Sequence, residues 1–173
     1  NPRPKITMGP ALPLGYESES EFCDIPLSRE LSVEAVREKL QAALPPGLDL
    51  LSVEAITASS FRLSNAISAR YMVQLKRELS KNIDRYIKEF LAQDSVPVER
   101  VRKDMSDIID VRHFVNELGV ETRADCQCLR IEISMGGRGS CSATEVAQAV
   151  LHLPPDEAKC LQIIRTETRF SDR

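Results

Sequence analysis

From residue 70 onward the spacing of apolar residues switches repeatedly between the strand period and the helix period, and the order of the switches constrains the fold most. In "RYMVQLK" (70–76) Tyr71, Val73 and Leu75 share one face. "SKNIDRYIKEFLAQ" (80–93) puts Ile83, Ile87, Phe90 and Leu91 on one helical stripe, with Ser80 as the expected N-cap. "SVPVERV" (95–101) reads as a strand, and "DIIDVRHFVNEL" (107–118) fits either a strand or a short helix. "CQCLRIEISM" (126–135) is the clearest strand, alternating Leu129, Ile131, Ile133 and Met135. "SATE" (142–145) carries the capping-box spacing and opens a helix through Leu151. "CLQIIRTETRF" (160–170) is the last strand. With the ambiguous stretch set aside, the order is β-α-β-β-α-β, the split βαβ order of a ferredoxin-like unit.

The first part of the chain gives a shorter version of the same order. "PKITM" (4–8) and "EFCDIPL" (21–27) read as strands, the second ended by Pro26. A helix follows, with Ser32 as N-cap and Val33, Val36, Leu40 and Leu44 on its stripe, stopped by "PPG" (45–47). "LDLLSVEAI" (48–56) reads as a strand. The expected fold is therefore α+β, two tandem ferredoxin-like units, the first incomplete at its N-terminus. The boundaries are a partial β-β-α-β unit at 1–58, a linker at 59–69, and a complete unit at 70–173.

Composition limits what this fold can do. Hydrophobic residues make up 42% of 173 and charged residues 28%, enough for a packed core. The net charge of −3 gives no global attraction for nucleic acid, so no DNA partner is expected. No apolar run reaches membrane-span length. The 5 cysteines form neither a CxxC nor a CxxxCxxC motif, which fits reduced thiols in the cytoplasm. The chain itself is expected to hold neither a metal nor a cofactor.

Candidate site residues fall in four places. Arg3 and Lys5 alternate along the first strand and could line a basic surface for phosphates, and the alternative is a solvated face. Glu17, Glu19 and Glu21 form an alternating acidic run, too sparse in other ligand types for a metal. "MGGRGSCSATE" (135–145) sends a strand through a Gly-rich turn into a capped helix. There free N–H groups and Arg138 would suit a phosphate, though no nucleotide-binding fingerprint is met. Asp110 and Arg112 fall on one side if 107–118 is a strand, as an acid/base set or an internal salt bridge. Cys126 and Cys128 share a face with Arg130 and Glu132, the open face of a sheet whose other face carries helices. No nucleophile–base pattern is present, and no catalytic residue is assigned.

The opening stretch "NPRPKITMGPALPLGYESESEFCDI" resembles a bacterial domain of unknown function linked to radical SAM proteins, fused to their C-terminus or encoded beside them. Asn1 to Pro4, Ala11 to Gly15, Glu17, Ser18 and Glu21 match its motif, and "RLSNAISARY" and "IIDVRHFV" match more loosely. Family members carry a further segment before this point, so the resemblance implies a chain truncated at its N-terminus. It also implies an accessory, non-catalytic module with a radical SAM protein or domain as partner. The iron–sulfur cluster and S-adenosylmethionine are then expected in that partner alone. The module would bind a protein or RNA substrate for it. Only 5% of residues are aromatic and no RNP-like aromatic pair occurs, which favours protein over RNA. The alternative is an RNA-processing or RNA-modifying enzyme of tandem ferredoxin-like architecture.

Overall fold

The structure is a computed structural model that describes residues 5–56, 63–102, 105–136 and 139–171. The elements in chain order are β1 (Thr7–Met8), β2 (Glu17–Ser18), β3 (Cys23–Asp24), α1 (Val33–Ala43), β4 (Ala66–Gln74), α2 (Arg77–Ser80), α3 (Ile83–Leu91), β5 (Pro97–Arg102), β6 (Met105–Asp110), β7 (Val115–Arg123), β8 (Cys126–Ser134), α4 (Ala143–Leu151), α5 (Pro155–Ala158) and β9 (Ile163–Phe170). A 3₁₀ turn, Val111–Phe114, joins β6 to β7. The protein is thus α+β, and no helix among the described residues is long and apolar enough to cross a membrane.

The main sheet has the order β2-β9-β4-β8-β7. The pairs β9–β4, β4–β8 and β8–β7 are antiparallel, whereas β2 joins β9 in parallel. β4 is central and nearly covered on both faces. Ala69, Tyr71 and Val73 enter the core with Leu129, Ile131, Ile133 and Ile163, against Ile83, Ile87 and Phe90 of α3 and Val146, Ala147 and Val150 of α4. Met72, flanked in register by Arg130 and Ile164, is buried on the other face. β4 starts at Ala66, inside the expected linker, because small residues such as Ser68 and Ala69 still form ladder pairs with both neighbours.

Several local readings hold, and others are corrected. Ser32 caps α1 by accepting from the Ala35 N–H at 3.2 Å. The Ser142–Glu145 capping box is formed in full. The ambiguous stretch 107–118 resolves into strand, 3₁₀ turn and strand. Ser80 does not cap the next helix. Its hydroxyl donates back to the Lys76 carbonyl and closes α2, and Asn82 takes the N-cap position of α3. Residues 48–56 form no strand, since they find no ladder partner and most are exposed.

Among the described residues the first part of the chain contributes no buried residue. Between residues 5 and 56 every side chain is exposed or half-buried, and α1 buries none of its stripe. β1 pairs with β3 in a two-stranded ribbon, while β2 adds to the main sheet. The buried hydrophobic core lies between Leu63 and Ile163.

This distribution predicts unequal mutational costs. Leu129→Ala should destabilise by about 2–5 kcal/mol through the cavity it leaves. Leu51→Ala, at an exposed position, should stay within about 0.5 kcal/mol. Chemical denaturation of both variants checks this.

Candidate functional site

"GPALPLGYESESE" (9–21) is shaped by its own chain chemistry before it packs. Pro10 and Pro13 have fixed φ, and Gly15 turns with φ +88°, a region an L-residue avoids. The Tyr16 N–H donates to the Pro13 carbonyl at 3.1 Å. β2 then aligns Ser18 with Arg165 of β9, and the Glu19 N–H donates to the Arg165 carbonyl at 2.9 Å.

Arg165 is the residue around which this segment is built. It lies opposite Tyr71, and its side chain is 1% exposed. Its Nε donates to Glu21 Oε1 at 3.0 Å and its Nη2 to Glu21 Oε2 at 2.5 Å. Nη2 also donates to the Pro10 carbonyl at 2.9 Å, and Nη1 to the Ala11 carbonyl at 3.4 Å. Ser18 Oγ donates to Glu21 Oε1 and fixes that carboxylate. Burial works against the charge on Arg165, and the pair with Glu21 more than offsets it. The arrangement is a fork-to-fork ion pair with the spare donors on two loop carbonyls.

Tyr16 makes the second anchor. Its ring meets Tyr71 edge to face at 5.9 Å. Its hydroxyl lies 2.8 Å from Thr144 Oγ1 and accepts from the Thr144 N–H at 2.8 Å. The start of α4 is occupied from the other side as well. The Glu145 N–H donates to Ser142 Oγ, and Glu145 Oε2 accepts from the Ser142 N–H at 2.7 Å. Arg100 of β5 grips Glu145 with Nε and Nη2 at 2.5 and 2.8 Å and donates to the Ser140 carbonyl at 2.8 Å. The helix end expected to hold a phosphate already faces a carboxylate of its own chain.

The face of the sheet away from α3 and α4 is a lattice of opposite charges. Arg70 bridges Glu132 at 3.1 Å and Glu167 at 2.8 Å, and Arg169 bridges the same two at 3.3 and 3.0 Å. Arg130 pairs with Glu117 at 2.7 Å, and Arg123 with Glu19 and Glu121 at 2.5 and 3.3 Å. The hydrogen bond from Arg130 holds the Glu117 carboxyl below its usual range. Each arginine of the lattice already faces a carboxylate.

The expected site residues therefore separate. Ser18 and Glu21 converge on Arg165. Glu17, aligned with Ile164, is exposed, and Lys5 is exposed on the approach to β1. Arg3 and Arg138 lie outside the described residues. Asp110 caps the 3₁₀ turn, accepting from the Val96 N–H at 2.9 Å and the Arg112 N–H at 3.1 Å, and meets His113 at 2.8 Å. Burial acts to raise its carboxyl, but hydrogen bonds from Ser95, Val96 and Arg112 together hold it below the usual range. Arg112 lines a cleft of about 300 Å³ with Gln93, Asp94 and His113, and donates weakly to the Val115 carbonyl at 3.5 Å. Among the described residues no group of three or more His, Cys, Asp or Glu could hold a metal ion.

Arg165, Tyr16 and Arg100 escape the sequence reading, which gave Glu145 a capping role but not its pair with Arg100. One signal was present for Arg165. It stands two residues after the core residue Ile163, so alternation carries a charge inward, and an inward charge requires a partner.

Fold and site together define an α+β protein whose opening segment is clamped onto a C-terminal sheet. Residues 1–143 match the DUF2344 family, described as an uncharacterized protein conserved in bacteria. The chain belongs to that family. No curated protein and no solved structure matches the chain.

Two outcomes test the site. Glu21→Ala strands a buried guanidinium, so the variant should lose about 3 kcal/mol and be cut within residues 9–21 at protease concentrations that spare the wild type. Burial pushes the Cys141 thiol up to about 12, with Glu145 adding to the rise and Arg100 opposing it. Its thiolate therefore forms only as the pH approaches that value, and mildly alkaline alkylation should label exposed Cys23 and Cys160 while sparing Cys141.

Proposed function

We propose that the chain is an accessory, non-catalytic module that binds a protein for a radical SAM enzyme, fused to it or encoded nearby. The observation that carries the protein-binding reading is the apolar surface of the first part of the chain. Met8, Leu14, Leu27, Leu48, Leu51 and Ile56 are all exposed, Leu14 completely. Exposed apolar side chains recurring along a segment whose described residues bury no side chain support an interaction surface.

The link to radical SAM chemistry rests on the motif resemblance, Asn1 to Pro4, Ala11 to Gly15, Glu17, Ser18 and Glu21. Several of these positions sit at the Arg165 clamp, so the motif supports a shaped segment for recognition more than a reaction centre. The iron–sulfur cluster and S-adenosylmethionine would belong to the partner. The strand order β9-β4-β8-β7, with α3 and α4 on one face, supports a ferredoxin-like unit over the C-terminal part. In this reading residues 1–58 are the remainder of a second unit, joined through 59–69, and the protein works in the cytoplasm.

RNA is the weaker substrate class. Phosphate binding needs uncommitted cations, and the arginines of the open sheet face are held by carboxylates. The RNA-enzyme alternative also needs an acid/base pair, and Asp110 is engaged in capping a turn.

Co-elution with the radical SAM protein encoded beside or fused to the chain tests the proposal. A complex is expected, weakened about tenfold or more by Leu14→Asp. Absence of a complex, together with salt-steep binding to bulk tRNA, would overturn it.

A further inference from the structure

β7 is the outermost strand of the main sheet, and no strand among the described residues pairs with its outer edge. Bare edges of this length recruit another strand unless Pro, Lys or a bulge blocks them. Residues 117–123 contain neither Pro nor Lys, and the ladder irregularity lies before them, between Val115 and Glu117. Arg112 occupies the Val115 carbonyl, so the open stretch begins after that point.

The turn into β8 fixes which groups face outward. Ala124 and Asp125 have φ of 44° and 66°, the two positive values of a type I′ two-residue turn. Such a turn closes on a hydrogen-bonded pair, here Arg123 and Cys126. Arg123, Glu121, Gly119 and Glu117 therefore bond toward β8. Thr122, Val120 and Leu118 direct their N–H and C=O groups away from the sheet.

We infer that β7 pairs antiparallel with β7 of a second copy of this chain, with the two-fold axis at Val120. Val120 then faces Val120 of the other copy, and Leu118 faces Thr122, each pair exchanging two hydrogen bonds. Centring the axis between residues would set outward groups against groups already bonded to β8. Charge selects among the remaining registers. With the axis at Val120, Glu117 lies opposite Arg123 of the second copy, twice by symmetry. Glu121 of that copy faces Gly119, over which Arg130 is folded, its Nη2 2.9 Å from where a Cβ would stand. Moving the axis to Gly119 would instead face Glu117 with Glu121, a like-charge pair that destabilises a sheet. On the helix face Leu118 and Val120 are half-buried against the core, and pairing completes their cover.

Sedimentation of the purified chain over a range of concentrations tests this. A reversible dimer is expected. Glu117→Arg should weaken it about tenfold by setting like charges opposite each other, and Glu117→Arg with Arg123→Glu should restore it. Val120→Pro removes an N–H that makes no bond within its own sheet, so it should leave the far-UV spectrum intact and abolish the dimer. A monomer at every concentration, or a dimer indifferent to Glu117→Arg and Val120→Pro, would overturn the inference.

Discussion

The ion pair between Arg165 and Glu21 is the contact on which the arrangement of this protein depends. A guanidinium buried beside Tyr71 cannot stay charged without a carboxylate, and its carboxylate, Glu21, comes from the other end of the chain. Glu21 reaches it because two prolines, Gly15 and a short parallel strand turn residues 9–21 back along β9. Tyr16 then sets the same segment against the first turn of α4. One charge inside the sheet thereby specifies the path of residues 9–21, although none of them is buried.

Much of the C-terminal part was legible from the chain. β4, α3, β8, α4 and β9 overlap the stretches where period placed them, because their apolar residues feed one core, whereas β5 pairs with β6 in a separate ribbon and β7 takes the place in the main sheet. β8 shows this best, with Leu129, Ile131 and Ile133 inside and Arg130 and Glu132 on the charged face. The reading failed where a contact outweighed a local pattern. Ser80 has the right type for an N-cap but bonds to the preceding turn. Residues 48–56 are apolar enough for a strand but have no neighbour to pair with. The site was harder to read than the fold, since Arg100–Glu145 and Arg165–Glu21 join residues far apart in sequence. Only the unpaired character of an inward Arg hinted at them.

The electrostatics divide the surface into two kinds of ground. The open sheet face is charged but internally neutralised, each Arg committed to a Glu. The first part of the chain carries apolar side chains with no cover. The helix start that looked like an anion cradle is filled by Glu145 and gripped by Arg100, so its dipole is answered from within. These commitments are what the proposed recognition of a protein surface rests on. Membership of the DUF2344 family places the clamp carboxylate, Glu21, inside the matched residues and Arg165 beyond them.

The central claim is that residues 9–21 are docked on the C-terminal sheet as part of one folded unit. Native-state hydrogen exchange measures this directly at the Glu19 amide, which donates to the Arg165 carbonyl. The account predicts strong protection at Glu19 that disappears in Glu21→Ala while the amides of β4 and β8 stay protected. Exchange of the wild-type Glu19 amide at the rate of an unstructured peptide, beside a protected β4, would contradict it.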